Sequence, residues 1–411
     1  MRMLSTPSVT AARGFVAAGV AAGIKATGAL DLALVASEVD CAAAAVFTQN
    51  CFAAAPVLYD RAVLAANASG VRAVAINSGC ANACTGDEGM ARARRMAEAV
   101  EQTLGLGRFS CLVMSTGVIG VQLPLEKIER GIIAAAAQLS QEGGAAAARA
   151  IMTTDTRPKT AGAQLVINGQ TVTIAGMCKG AGMIHPNMAT MLALVCSDAA
   201  ITPAALAEAT HWAADSSFNA VTIDGDTSTN DTLAVLANGL AGNELLADTT
   251  SASYGAFAEG LAAVCVDLAQ QIARDGEGAT KFVTIHVMGA RDDADARRAA
   301  HAVANSPLVK TAIYGGDANW GRILCAVGYS GAEVDPQRTS LFFAAPAAGL
   351  GWLQVVGNGQ PLCYSEEAAT ARFAADEIAI RIELGLGAGE ATVWTCDLSH
   401  AYVDINGHYR T

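Results

Sequence analysis

The sequence predicts an α/β protein, and three observations carry that reading. Apolar runs alternate with amphipathic stretches from one end of the chain to the other, the pattern of strands alternating with helices. The composition is 52% hydrophobic but only 5% aromatic, so the core is built from Ala, Val, Ile and Leu. Glycine occurs 41 times in 411 residues, which calls for many tight turns. Charged residues make up only 16%, too few for a disordered chain or a coiled coil.

The elements follow in order. Val74–Ile76 reads as a short strand that leads into a Gly/Asn loop. Met90, Ala93, Ala97, Val100 and Leu104 recur three and four apart, which places them on one face of a helix. Cys111–Met114 is an apolar strand ending at the turn Ser115-Thr116-Gly117. Leu165–Ile167 and Thr171–Ile174 flank Asn168-Gly169, a strong hairpin signal. Met191–Val195 reads as a buried strand, after which Thr202 caps a helix with Pro203 at its first position. Tyr254, Phe257, Leu261, Val264 and Leu268 mark a second long helix, Phe282–Val287 a strand, and Ala294–Ala304 a helix stopped by Asn305-Ser306-Pro307. Ser365 caps a helix running towards Ile378, and Thr392–Cys396 is a late strand. With no long linker, low-complexity tract or repeat, the chain reads as one continuous body.

Charge and cysteine usage narrow the function. Lys+Arg total 26 against Asp+Glu 38, a formal charge of -12, so the chain lacks the basic footprint that binds phosphate backbones and is not expected to bind nucleic acid. The 11 cysteines are scattered, form no CxxC pair, and fit buried thiols in a reducing cytoplasm, with no metal site expected. No apolar run reaches the roughly 18 to 20 residues of a membrane helix. The Gly/Ala-rich stretch 14–23 after Arg2 lacks a convincing cleavage site and reads as mature protein. No Walker phosphate loop or HExxH occurs, and the elbow begun by Gly328-Tyr329-Ser330 lacks its closing glycine because Ala332 stands there. The Asp224–Asp231 stretch starts like a calcium loop, but Thr229 stands where that loop needs glycine.

Polar-plus-glycine clusters recur at strand ends, among them Asn77-Ser78-Gly79, Ser115-Thr116-Gly117, Thr153-Thr154-Asp155, Lys179-Gly180, Asp224–Thr232 and Gly276-Glu277-Gly278. One segment is unusual. From Lys179 through Gly180, Gly182, His185 and Pro186 to Ala189-Thr190-Met191-Leu192, a Gly-rich loop runs straight into an apolar strand, with a threonine at the junction. Such a threonine is ordinarily just the first residue of a strand. Here the stretch resembles the self-cleavage signature of the ornithine acetyltransferase family, also called glutamate N-acetyltransferase. Phe47-Thr48-Gln49-Asn50, Asn82-Ala83-Cys84-Thr85-Gly86, Ser115 to Gly120, Asp224–Thr232, Gly276–Lys281, Asn319-Trp320-Gly321-Arg322 and Tyr402–Thr411 resemble further family segments, in order along nearly the whole chain. Cys80, Ala181 and Ala318 depart from the family pattern.

The resemblance implies a layered α/β sandwich of the self-processing type, cleaved between Ala189 and Thr190 into interleaved α (1–189) and β (190–411) chains. A threonine hydroxyl is a weak nucleophile that needs a base, and an N-terminal threonine carries one in its α-amino group, of pKa about 8. Inside an intact chain that nitrogen is an amide, so cleavage must come first. By the resemblance, Thr190 then takes the acetyl group from N2-acetylornithine and passes it to glutamate in arginine biosynthesis. Thr116 and the N–H of Gly117 form the oxyanion hole, and Thr154, Lys179, Thr190, Glu277, Asn406 and Thr411 contact substrate. The resemblance implies no cofactor, leaves acetyl-CoA open as a second acetyl donor, and implies an α2β2 heterotetramer in the cytoplasm, with no membrane partner. A self-processing aminopeptidase or amidase shares the nucleophile logic, and an uncleaved metal- or phosphate-binding protein built on the Asp224–Asp231 loop is the alternative of another class.

Overall fold

The computed structural model describes residues 1–185 and 191–408. The chain divides into two compact units, one of Met1–Asn219 with Asp226–Gln271, the other of Ala220–Gly225 with residues 272–408. The boundary falls inside a helix, with no linker composition to announce it.

The first unit holds strands β1 (Arg2–Met3), β2 (Phe15–Val20) and β3 (Leu32–Phe47), then helix α1 (Ala55–Asn67), β4 (Val71–Cys80), α2 (Gly86–Leu104) and β5 (Cys111–Val118). Helices α3 (Leu125–Ala136) and α4 (Gly144–Ala150) lead to β6 (Lys159–Ile167), β7 (Gln170–Lys179) and β8 (Leu192–Ser197), followed by α5 (Pro203–Ser216), β9 (Thr232–Ala237) and most of α6 (Ala252–Arg274). The strands line up as β1-β6-β7-β8-β9-β3-β4-β5, with β2 also on β3. Strand β3 is shared by two ladders. Leu32–Ala36 pairs with β2 and β4, Ala42–Phe47 pairs with β9, and the register breaks between Ala36 and Cys41. The stretch 14–23, which could be mistaken for a leader, supplies β2, where Phe15, Ala17, Ala18 and Val20 are buried.

The second unit carries β10 (Phe282–Ala290), α7 (Asp293–Ala304), α8 (Pro307–Tyr314), α9 (Trp320–Gly328), β11 (Ser340–Ala345), β12 (Leu350–Gly357), β13 (Gln360–Pro361), α10 (Glu366–Phe373), β14 (Glu377–Glu383), β15 (Gly389–Cys396) and α11 (His400–His408). Its sheet runs β13-β12-β11-β14-β10-β15. Both units are mixed α/β, as the sequence predicts.

Local signals account for most boundaries. Thr202 caps α5 by accepting from the Ala205 N–H, and Ser365 caps α10 through Ala368 N–H. Ser306-Pro307, which stops α7, also starts α8, with Ser306 as its cap. Two expectations are corrected. The helix after Ser365 ends at Phe373, and Ile378 lies in β14 opposite Val283. The stretch Glu-Ile-Ala-Ile-Arg-Ile-Glu alternates with period two, and that periodicity governs. Ser115-Thr116-Gly117 is not a turn but the end of β5, because Asn77-Ser78-Gly79 of β4 pairs alongside it in parallel. Among the described residues, α6 alone is long and apolar enough to cross a membrane by length and composition, and more than half of that stretch is buried.

Candidate active site

The parallel ends of β4 and β5 form the first wall of the site. Ser78 sits beside Thr116 and Gly79 beside Gly117, and the register slips at Cys80. Gly117 has φ +128°, and a Cβ there would lie 2.4 Å from the Gly79 carbonyl carbon and 2.6 Å from the Cys80 nitrogen. Only glycine lets the two backbones come this close. The Ser115 hydroxyl donates to Asn77 Oδ1 at 2.6 Å, and Asn77 Nδ2 donates to the Cys80 carbonyl at 2.9 Å. Asn230 Nδ2 donates to the carbonyls of Ala81 (2.6 Å) and Ser115 (2.8 Å). Backbone groups at a strand end are thus held by buried amides, which gives the rigidity that a preorganised donor needs.

The second wall is the β7–β8–β9 edge. Lys179, the last residue of β7, pairs with Leu192 of β8, and Leu192 pairs with Thr232 of β9. Lys179 Nζ lies 3.5 Å from Thr116 Oγ1 and donates to it. Lys179 is buried, as is the neighbouring pair formed by Lys159 Nζ and Asp155 Oδ1 at 2.6 Å. Asp155 also accepts from Gly180 N–H (2.7 Å) and Thr153 N–H (2.9 Å). Burial alone would push its carboxyl up, but the Lys159 and Lys179 ammoniums and these donors outweigh burial and hold it at about 2. Asp155 therefore fixes both the Thr153-Thr154 loop and the end of β7. Half-buried Thr154 sits on that loop.

Asp231, just before β9, is buried, and burial pushes its carboxyl well above the usual range despite Lys179 and the hydrogen bonds from Ser228 and the Met191 N–H. Thr232 N–H donates to the Met191 carbonyl at 3.0 Å. Met191, the residue after Thr190, is thus clamped from both sides.

The structure brings Thr116, Gly117 and Lys179 together, with Thr154 on the adjoining loop. In the other unit, Glu277 is buried and its Oε2 accepts from Asn406 Nδ2 at 2.6 Å. Gly278, with φ +69°, lets that loop lie against the start of α11. Ala189, Thr190 and Thr411 lie outside the described residues. Sequence reasoning missed the buried Asp155–Lys159 pair and the Asn77 and Asn230 amides. Asp155, Asn77 and Asn230 lay within polar clusters noted at strand ends, but nothing in their spacing told which residues hold the backbone.

A profile of the ArgJ family matches residues 16–411. The chain belongs to the ArgJ family. The family resemblance read from the sequence therefore holds. An "Arginine biosynthesis bifunctional protein ArgJ" from Symbiobacterium thermophilum is 54% identical over 98% of this chain and 98% of its own length. The protein of the same name from Thermotoga neapolitana is 48% identical over 97% of this chain and 99% of its own length. A crystal structure of ornithine acetyltransferase from Mycobacterium tuberculosis, complexed with ornithine, is 46% identical, covers 46% of this ArgJ-family chain and 99% of that one, and has a TM-score of 0.41.

Proposed function

We infer that the chain is an acetyltransferase of arginine biosynthesis, which moves the acetyl group of N2-acetylornithine to glutamate. The near full-length match to ArgJ proteins carries the pathway and the reaction class. Two half-reactions then share one nucleophile, which we assign to Thr190 once the Ala189–Thr190 bond has broken. Thr190 Oγ attacks the acetyl carbonyl, ornithine leaves, and the α-amine of glutamate attacks the acetyl ester. What supports this assignment is the pairing of Leu192, two residues after Thr190, with Lys179, whose ammonium reaches the Thr116 hydroxyl.

Each half-reaction passes through a tetrahedral oxyanion. Thr116 Oγ1 and the Gly117 N–H are assigned to it, supported by the amide bracing of β4 and β5. Lys179 is assigned to a substrate α-carboxylate, and Thr154 to a hydroxyl contact nearby. Glu277, held by Asn406, is assigned to the side-chain ammonium of ornithine, and Thr411 to a further substrate contact. No cofactor is invoked, and acetyl-CoA is a candidate second donor. The processed chains are proposed to assemble as an α2β2 heterotetramer in the cytoplasm, where the eleven free thiols are at home.

The test is chemical. N-terminal sequencing of the purified protein should give a second chain beginning at Thr190, absent in Thr190→Ala. Incubation with N2-acetylornithine alone should add one acetyl group to the 190–411 fragment, and glutamate should remove it as N-acetylglutamate. An acetylated fragment discharged only to water would instead mark a hydrolase. An intact, unacetylated wild-type chain that still transfers acetyl would overturn the covalent mechanism.

A further inference from the structure

A cavity of about 530 Å³ in the first unit is lined by Lys25, Ala29, Leu30, Arg149, Met152 and Thr153. It adjoins the site just described. The backbone and side chain of Lys25 lie against Gly79, the strand partner of Gly117, and a Cβ on Gly79 would sit 3.3 Å from Lys25 Cγ. Met152 and Thr153 lead directly into the Thr154-Asp155 loop braced on Gly180. The Lys25 ammonium also feels the charges of Asp155 and Lys179.

The lining contains two cations and no acid, in a chain of formal charge -12. Nearby carboxylates are committed elsewhere. Asp31 spends its oxygens on the N–H groups of Ala22, Ile24 and Lys25, and Asp155 spends its own on Lys159, Gly180 and Thr153. Lys25 Nζ donates to the carbonyls of Leu30 (3.0 Å) and Met152 (2.7 Å), which leaves one of an ammonium's three donors. Arg149 is exposed in the last turn of α4, and its guanidinium makes no hydrogen bond or ion pair among the described residues. Burial lowers the Lys25 ammonium even though Asp31 and Asp155 raise it, so an incoming anion would be welcomed by an under-compensated charge. Ala29, Leu30 and Met152 add an apolar wall that suits a methylene chain.

We propose that the Lys25–Arg149 cavity is an anion subsite, which receives the negatively charged end of a reactant whose other end reaches the Thr116–Gly117 oxyanion hole. The inference rests on the transferase reading above. The shared chemistry is an anionic oxygen group on a chain several bonds from the reacting carbon or nitrogen. Two reactants offer it: glutamate through its side-chain carboxylate, and a phosphate-bearing acyl thioester through its phosphates. The ornithine side chain, a cation, is repelled from the same place.

The experiment uses the processed full-length protein with Arg149→Glu and Arg149→Lys, an exposed position where neither change disturbs the core. In Arg149→Glu the KM for the anionic reactant should rise on the order of tenfold, about one charge-assisted hydrogen bond, and by more than the KM for N2-acetylornithine. kcat should move little, and Arg149→Lys should recover most of the loss. A rise confined to acetyl-CoA assigns the subsite to phosphate, and one confined to glutamate assigns it to the carboxylate. Equal KM changes for all reactants, or none, overturn the subsite and leave the transferase reading standing. Should the protein transfer no acetyl group, calorimetric titration with inorganic pyrophosphate and with glutamate still decides: tighter binding to wild type than to Arg149→Glu supports the subsite, and equal binding overturns it.

Discussion

At the scale of single residues, Asp155 shows how one carboxylate organises a site it need not touch. Its folded value of about 2 lies below the ordinary 3.8. A depressed carboxyl contributes stability that is complete above the unfolded value and is lost as pH falls from about 4 towards 2. The contribution is about 2 kcal/mol, from the shift at about 1.4 kcal/mol per pH unit. Asp155→Asn also removes the carboxylate that lies 2.6 Å from the fully buried Lys159 ammonium, and breaking such a buried pair costs about 3 to 5 kcal/mol. Urea unfolding at pH 7 should therefore show a lowered midpoint in Asp155→Asn, and the gap to wild type should narrow as the pH approaches 2. A midpoint unchanged at pH 7 would mean that this pair does not hold the loop. The sequence marked Thr153-Thr154-Asp155 as a polar cluster, yet it did not reveal the partner. Lys159 opens a strand whose other residues, Gln164 apart, are apolar or small, and the bend before β6 turns its ammonium back onto Asp155.

At the scale of elements, two glycines with positive φ separate strain from collision. Gly169, in the β6–β7 hairpin, has φ +79° with open space where a Cβ would stand, whereas Gly117, at the end of β5, has φ +128° with backbone 2.4 Å from that position. Gly169→Ala should cost only the left-handed penalty, about 1 to 2 kcal/mol, with activity retained. Gly117→Ala must push β4 and β5 apart and should abolish acetyl transfer while lowering the melting temperature further. Thermal unfolding and an acetyl-transfer assay on both variants test the ranking, and a Gly117→Ala enzyme that keeps its rate would remove this strand end from the chemistry. The Asn168-Gly169 hairpin was legible because turn chemistry is local. The strand character of Ser115-Thr116-Gly117 was not, since it depends on Asn77-Ser78-Gly79 lying alongside, a partnership set by the fold. Ile378 makes the same point for α10, where the cap fixed the start of the helix and the onset of period-two alternation fixed its end.

At the scale of the whole molecule, strand order bears on what cleavage at Ala189–Thr190 would do. The first seven strands would belong to the 1–189 chain, while β8 and β9 would belong to the 190–411 chain. In the sheet, β8 and β9 lie between β7 and β3, so the second chain would be inserted between strands of the first. Two ladders would then join the chains, Ile174–Lys179 against Ser197–Leu192 and Ala42–Phe47 against Ala237–Thr232. These strands are almost wholly buried and apolar, so separating the chains would expose core edges and leave backbone groups unpaired. Processing is therefore expected to cut the chain without loosening the body. Under native size exclusion both fragments should elute together, at the size of an α2β2 assembly, and they should separate only in denaturant. The 1–189 fragment expressed alone should be insoluble or lack a cooperative unfolding transition, because β8 and β9 are missing from the middle of its sheet. Recovery of a folded, soluble 1–189 fragment on its own would show that β8 and β9 are dispensable to that sheet, and the interleaved arrangement would have to be abandoned.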